Sequence, residues 1–176
     1  MNQTDLLLRM LDTTFEKESW YVPFKPAIEG ITADQVMWRP VGEATKTIWE
    51  NVNHLVCYKE RLVANLEGRE WTFDLDGDET FNLLNKYEDK EWLAIVERAE
   101  IVQRSLRQAL SKTTKEELKQ NSFEEKLLDI MLHEAYHTGQ IIQIRKMQGS
   151  WPSGSLIDRK RQFMNLYGSY RNFGGI

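Results

Sequence analysis

Residues 123–149, FEEKLLDIMLHEAYHTGQIIQIRKMQG, decide the fold. Ile130, Ile141 and Ile144 fall on one stripe at three- and four-residue multiples, the spacing of an amphipathic helix. Ser122 stands where an N-cap belongs, and Glu124 and Glu125 place negative charge in the first turn, where the helix dipole favours it. Gly149 stops the helix near Gln148, with Pro152 beyond.

Three more stretches repeat this pattern. The first runs from about Thr4 to Trp20, with Leu7, Leu8, Leu11 and Phe15 on one side and Thr4 as the expected N-cap. The second runs from about Thr45 to Glu67, with Ile48, Val52, Leu55, Leu62 and Leu66 on one face and Gly68 suited to the C-terminal cap. The third covers about Glu88 to Leu110, where Trp92, Ile95, Val96, Ala99, Val102, Leu106 and Leu110 form a continuous stripe. Residues 21–44 hold Pro23, Pro26 and Pro40 and read as irregular, with one short helical turn at Thr32–Gln35. No segment alternates with period two for long, although Trp71–Leu75 has the composition for a brief strand.

These patterns predict an all-α, four-helix bundle in one domain spanning residues 1–176. Its second and third helices are joined by Gly68–Tyr87, far longer than the roughly 2–8 residues usual in bundles, so this connection must cross over the bundle or carry function. From about residue 150 an aromatic, basic tail follows, with a short helix expected around Asp158–Leu166. It is expected to pack on the domain or on a second subunit, and Phe163, Tyr167, Tyr170 and Phe173 favour a homodimer.

The 176 residues are 41% apolar and 28% charged, ordinary for a globular domain, and the net charge of −4 is spread along the chain. No basic stripe marks a nucleic-acid binder, and no apolar run reaches the roughly 20 residues of a membrane span. The N-terminal stretch lacks the basic region and cleavage site of a signal peptide, so the expected location is the cytoplasm. A single cysteine, Cys57, excludes an intramolecular disulfide.

The chemistry concentrates in the three histidines. Four helical residues turn through about 400°, so His133 and His137 stand roughly 40° apart on adjacent turns of the stripe that faces the bundle. Two such nitrogens can meet one ion at about 2.0–2.1 Å. His54, midway along the second helix, can face the midpoint of the fourth. All three then converge as nitrogen ligands of one divalent metal, with coordination positions left for water or substrate. The competing reading is a set of packed, metal-free core histidines.

His133-Glu134-Ala135-Tyr136-His137 also matches H-E-x-x-H, the zinc-protease signature. No histidine or glutamate follows His137 as a third ligand, and Gln140 and Gln143 occupy the glycine and histidine positions of the longer form. Protease chemistry is therefore set aside. Glu134 is left with three roles: support of a ligand, fourth ligand, or an acid satisfied by a neighbouring base. Cys57, one turn after His54, reads as a small buried residue rather than a ligand or nucleophile, and Tyr58 and Tyr136 as packing residues able to donate a phenol. Asp74–Glu79 fails as a calcium loop, because Glu79 stands at the glycine position and Asn85 at the closing glutamate. It reads as an acidic turn in the crossover.

The chain resembles the DinB-like metalloproteins. The matching residues are His54 within TIWENVNHLVCYKERL, the pair His133 and His137, and the run His137-Thr138-Gly139-Gln140-Ile141, similar to the family's H-x-G-Q-I segment. The resemblance covers roughly residues 1–150. It implies a four-helix bundle with a three-histidine site for Zn²⁺ or Ni²⁺. It also implies a metal-dependent thiol transferase or hydrolase acting on a small molecule, with a low-molecular-weight thiol as co-substrate. The alternative is a non-catalytic metal-binding bundle serving as a sensor or stress-response protein. Gly139 is expected to let a neighbouring helix approach closely, since glycine costs about 1 kcal/mol relative to alanine in a helix. Gln140 is expected to orient a ligand.

Overall fold

A computed structural model of the chain describes residues 2–42, 44–72, 77–81, 88–119 and 122–152. Among these residues seven α-helices follow one another: α1 (Gln3–Phe15), α2 (Phe24–Ile28), α3 (Ala33–Met37), α4 (Ile48–Leu66), α5 (Asp89–Lys112), α6 (Lys115–Lys119) and α7 (Phe123–Met147). The four long ones, α1, α4, α5 and α7, form the expected all-α bundle, and no strand occurs among the described residues. Helices α4 and α1 each pack on both α5 and α7, while α2 and α6 lie against α7 and α3 against α4. Near the start of α4 Asn51 meets His137, His54 meets His133, and near its end Leu62 and Asn65 share a cavity wall with Lys126 and Ile130 of α7, so these two helices run antiparallel.

The helix ends differ from the sequence expectation for identifiable reasons. Asn2, not Thr4, caps α1: its Oδ1 accepts from the Asp5 amide at 2.8 Å while the Asp5 carboxylate accepts from the Asn2 amide. The helix stops at Phe15, because the Glu16 and Lys17 amides both bond back to the Asp12 carbonyl, and Trp20 is left exposed. Thr47 rather than Thr45 opens α4, in a reciprocal box with Glu50. Thr45 is committed elsewhere, its hydroxyl lying 2.7 Å from the Pro40 and Gly42 carbonyls. Gly68 ends α4 at φ +65°, as its missing Cβ allows. Ser122 precedes α7 in a left-handed conformation and makes no side-chain cap, against expectation.

Two elements were not anticipated. Residues 21–44 hold two short helices rather than one turn; Arg145 of α7 fastens α2 by donating to the Ala27 carbonyl at 2.7 Å. Helix α6 buries Leu118 and starts with Thr114 and Glu117 capping each other. Residues 71–72 are not strand, and 73–75 lie outside the described residues, as do the expected helix at 158–166 and the rest of the tail.

The core divides into two apolar bodies. One gathers Phe15, Trp49, Val52, Trp92, Ile95 and Ile141; the other gathers Leu11, Leu62, Val102, Leu106, Leu127 and Ile130. Between them α7 contributes residues 132–140, which include the polar groups His133, Glu134 and His137, and His54 and Lys59 of α4 meet His133 and Glu134 there.

Candidate metal centre

His54, His133 and His137 come together at this waist. One ring nitrogen from each lies within 4.8 Å of the others, and among the described residues this is a cluster with the makings of a metal site. Ring centroids are 4.7 Å apart for His54 and His133, 4.8 Å for His54 and His137, and 4.5 Å for His133 and His137. His54 and His137 are buried and His133 is half-buried.

Two of the three rings are held by neighbours that fix their tautomers. The Thr80 hydroxyl donates to the Gly77 carbonyl at 2.6 Å, so towards His54 Nδ1, 2.5 Å away, it accepts. His54 therefore carries its proton on Nδ1 and a lone pair on Nε2. Similarly, Asn51 Nδ2 donates to the Thr47 carbonyl at 2.7 Å, which turns its Oδ1 to accept from His137 Nδ1–H at 2.7 Å. The lone pair of His137 is then also on Nε2. Such anchoring of the far nitrogen is the usual arrangement behind histidine ligands.

His54 Nε2 lies 2.8 Å from His133 Nε2. Because His54 Nε2 bears a lone pair, this approach needs either a proton on His133 Nε2 or a shared cation. Burial holds all three rings below the usual histidine range, His54 down to about 3 and His137 to about 4, and for these two neighbouring histidines add to the effect. Neutral imidazoles are the form that binds metal, and two nitrogens at about 2.0–2.1 Å from one ion lie about 3 Å apart. The donor set thus fits a divalent ion.

The crossover supplies part of the site. A short 3₁₀ helix, Gly77–Phe81, packs on α4 and brings in Thr80 and also Phe81, whose ring stacks on His54 with centroids 4.0 Å apart and 6° between planes. Asp78 and Glu79 are exposed at its start, and Asp78 faces Lys46 at 3.5 Å; Asp74–Asp76 lie outside the described residues.

Glu134 takes the third of its expected roles. Its carboxylate pairs with the Lys59 ammonium inside the core, so it is not placed as the general base of a protease. Lys59 also donates to Gln103 at 2.7 Å, and Gln103 donates to the Leu11 carbonyl at 3.1 Å, so one polar chain crosses all four long helices. Burial lowers the pKa of Lys59, and the Glu134 carboxylate opposes that.

Cys57 is buried and outside the cluster. Tyr58 packs edge-on to His54 at 4.9 Å, and its phenol oxygen accepts from the Gly77 amide at 3.3 Å. Tyr136 lies 5.1 Å from the His137 ring and is largely exposed. Gln140 has a small influence on the His137 ring that favours its charged form, against the larger effect of burial. Gly139 corrects the expectation of close helix approach: it is exposed, and a Cβ added there would meet nothing within 4 Å. Thr80, Phe81, Asn51 and Lys59 were missed in the sequence; Asn51, one turn before His54 on the same side of α4, is the one that spacing can reveal.

No helix among the described residues is long and apolar enough to cross a membrane. No curated protein and no solved structure matches the chain. The family model of the DinB superfamily matches residues 24–141, two thirds of the chain, and spans the crossover and all three histidines. With that match and the helical bundle that carries it, the chain belongs to the DinB superfamily.

Proposed function

We propose that this protein is a metal-dependent enzyme acting on a small molecule, a thiol transferase or hydrolase, with His54, His133 and His137 holding one divalent ion, Zn²⁺ or Ni²⁺. The observation that carries the reading is the convergence of three neutral imidazoles, two with Nδ1 anchored by Thr80 and Asn51 so that Nε2 is presented. When bound, such an ion supplies Lewis acidity and lowers the pKa of a coordinated thiol or water. The chain's own residues do the rest. Thr80 and Asn51 hold the tautomers, Phe81 covers one face of His54, and the Lys59–Glu134 pair fixes α4 against α7 beside the ligands. His133 borders a cavity of about 570 Å³, the size of a small-molecule site, which favours turnover over a closed structural metal.

The test is activity of the zinc- and nickel-loaded protein towards thiol acceptors and activated esters. Turnover that disappears in His54→Ala supports an enzyme. Stoichiometric metal with no turnover on any of these substrates favours the sensor or stress-response alternative.

A further inference from the structure

The crossover turn Gly77–Phe81 holds His54, and α4 in turn holds that segment on both sides of His54. One helical turn after His54, the Tyr58 phenol accepts from the Gly77 amide at 3.3 Å, at the start of the segment. Eight positions before His54, half-buried Lys46 reaches its other end, where the ammonium stands 4.6 Å from the centre of the Phe81 ring. Lys46 immediately precedes Thr47, whose capping box with Glu50 fixes the first turn of α4, so Lys46 and His54 are carried by one rigid element. The Phe81 ring thus has two neighbours from that element, the ammonium and the parallel His54 imidazole, and it also lies edge-on to His137 with centroids 6.0 Å apart. Lys46 faces Asp78 at 3.5 Å as well, but the Asp78 side chain is 90% exposed, and a pair so open to water contributes little. The ring contact is therefore the main hold, since the face of an aromatic ring attracts a cation.

We infer that Lys46 is a positioning residue of the metal centre: held against Phe81, it keeps that ring stacked on His54 and, through the same short helix, keeps the Thr80 oxygen on His54 Nδ1–H. A metal ion then meets an imidazole whose plane and tautomer are already set, and less ordering is left to the moment of binding. Lys46 acts on the site in two opposed ways. Through the ring it favours the ion, while through space one cation disfavours another nearby. Among the influences that lower the His54 pKa, burial is the largest and the Lys46 charge the smallest. The through-space effect is thus the weaker, and the ring contact prevails.

This inference rests on the metal reading above, and its test separates the two. Zinc affinity is measured by chelator competition for the unaltered protein, Lys46→Met, Lys46→Arg, Phe81→Leu and the double variant Lys46→Met/Phe81→Leu, with circular dichroism to confirm each fold. Lys46 lies outside both apolar bodies, so its replacement opens no cavity in the core. Lys46→Met should weaken zinc binding about three- to fivefold. Lys46→Arg, whose guanidinium also stacks on aromatic faces, should stay within about twofold of the unaltered protein. In the Phe81→Leu background the loss caused by Lys46→Met should vanish or reverse, because the ring through which Lys46 acts is gone. A loss that persists there, or a Lys46→Met variant that binds zinc as tightly as the unaltered protein, overturns the inference and leaves the metal reading standing. Unaltered protein that takes up no zinc removes the metal reading, and this inference with it.

Discussion

Thr80→Val tests how the crossover controls the histidine cluster. Valine keeps the shape of threonine and removes the oxygen that accepts from His54 Nδ1–H at 2.5 Å. His54 is buried and Phe81 stacks on its ring, so no open side offers that N–H a ready replacement. A buried donor stripped of its partner costs about 1–3 kcal/mol. The His54 ring then gains by moving its proton to Nε2, the atom needed for metal. Loss of such an anchoring partner typically weakens metal binding 10–100-fold, about 1.4–2.7 kcal/mol, so two independent magnitudes agree. The assay is competition for Zn²⁺ against a chelator of known affinity, with circular dichroism to confirm the fold. Thr80→Ser, which restores the hydroxyl, should recover most of the affinity. Zinc affinity within about twofold of the unaltered protein in a folded Thr80→Val variant would refute the reasoning.

Three further outcomes follow from the same structure. Lys59→Met strands the Glu134 carboxylate in the core and should cost about 3–5 kcal/mol by urea unfolding, whereas Lys59→Met/Glu134→Leu should recover most of it; equal losses would show that the pair's charges are not what matters. In the metal-free protein, His54 and His137 titrate near 3 and 4 instead of 6.5, so between about pH 6.5 and pH 4 the unfolded chain binds protons that the folded chain does not. Stability should be fully present above pH 6.5 and fall on acidification by at most about 1.4 kcal/mol per histidine per pH unit, and a flat profile across that window in urea titrations would contradict the burial argument. Gly139→Ala, on an exposed helical position with open space, should raise stability by about 0.5–1 kcal/mol, visible as a higher Tm.

The bundle was legible because its signal is local and repeated. The stripes of α4, α5 and α7 recur over 19 to 25 residues, and the residues they mark, such as Val52, Leu106 and Ile141, are fully buried. The histidine cluster was legible because His133 and His137 share a helix face and His54 has no apolar alternative in its place. What escaped depends on contacts distant in sequence. Thr80 reaches His54 across 26 positions and Lys59 reaches Glu134 across 75, and no local period encodes such pairings. Glu134 showed only that an acid lay on an inward arc; the base that satisfies it could not be named before α4 and α7 were seen side by side. The cap of α6 is a different matter, since Thr114-Lys115-Glu116-Glu117 carries the T-x-x-E pattern in plain view.

Elemental analysis of the purified protein reaches the central claim most directly, with His133→Ala measured beside it. His133 is the half-buried member of the cluster, and its replacement leaves the Thr80 and Asn51 anchors of the other two rings in place. The account predicts one divalent ion per chain in the unaltered protein and its loss from a folded His133→Ala variant. Protein that binds no stoichiometric metal after incubation with Zn²⁺ or Ni²⁺, or a variant that keeps its ion with unchanged affinity, would contradict it.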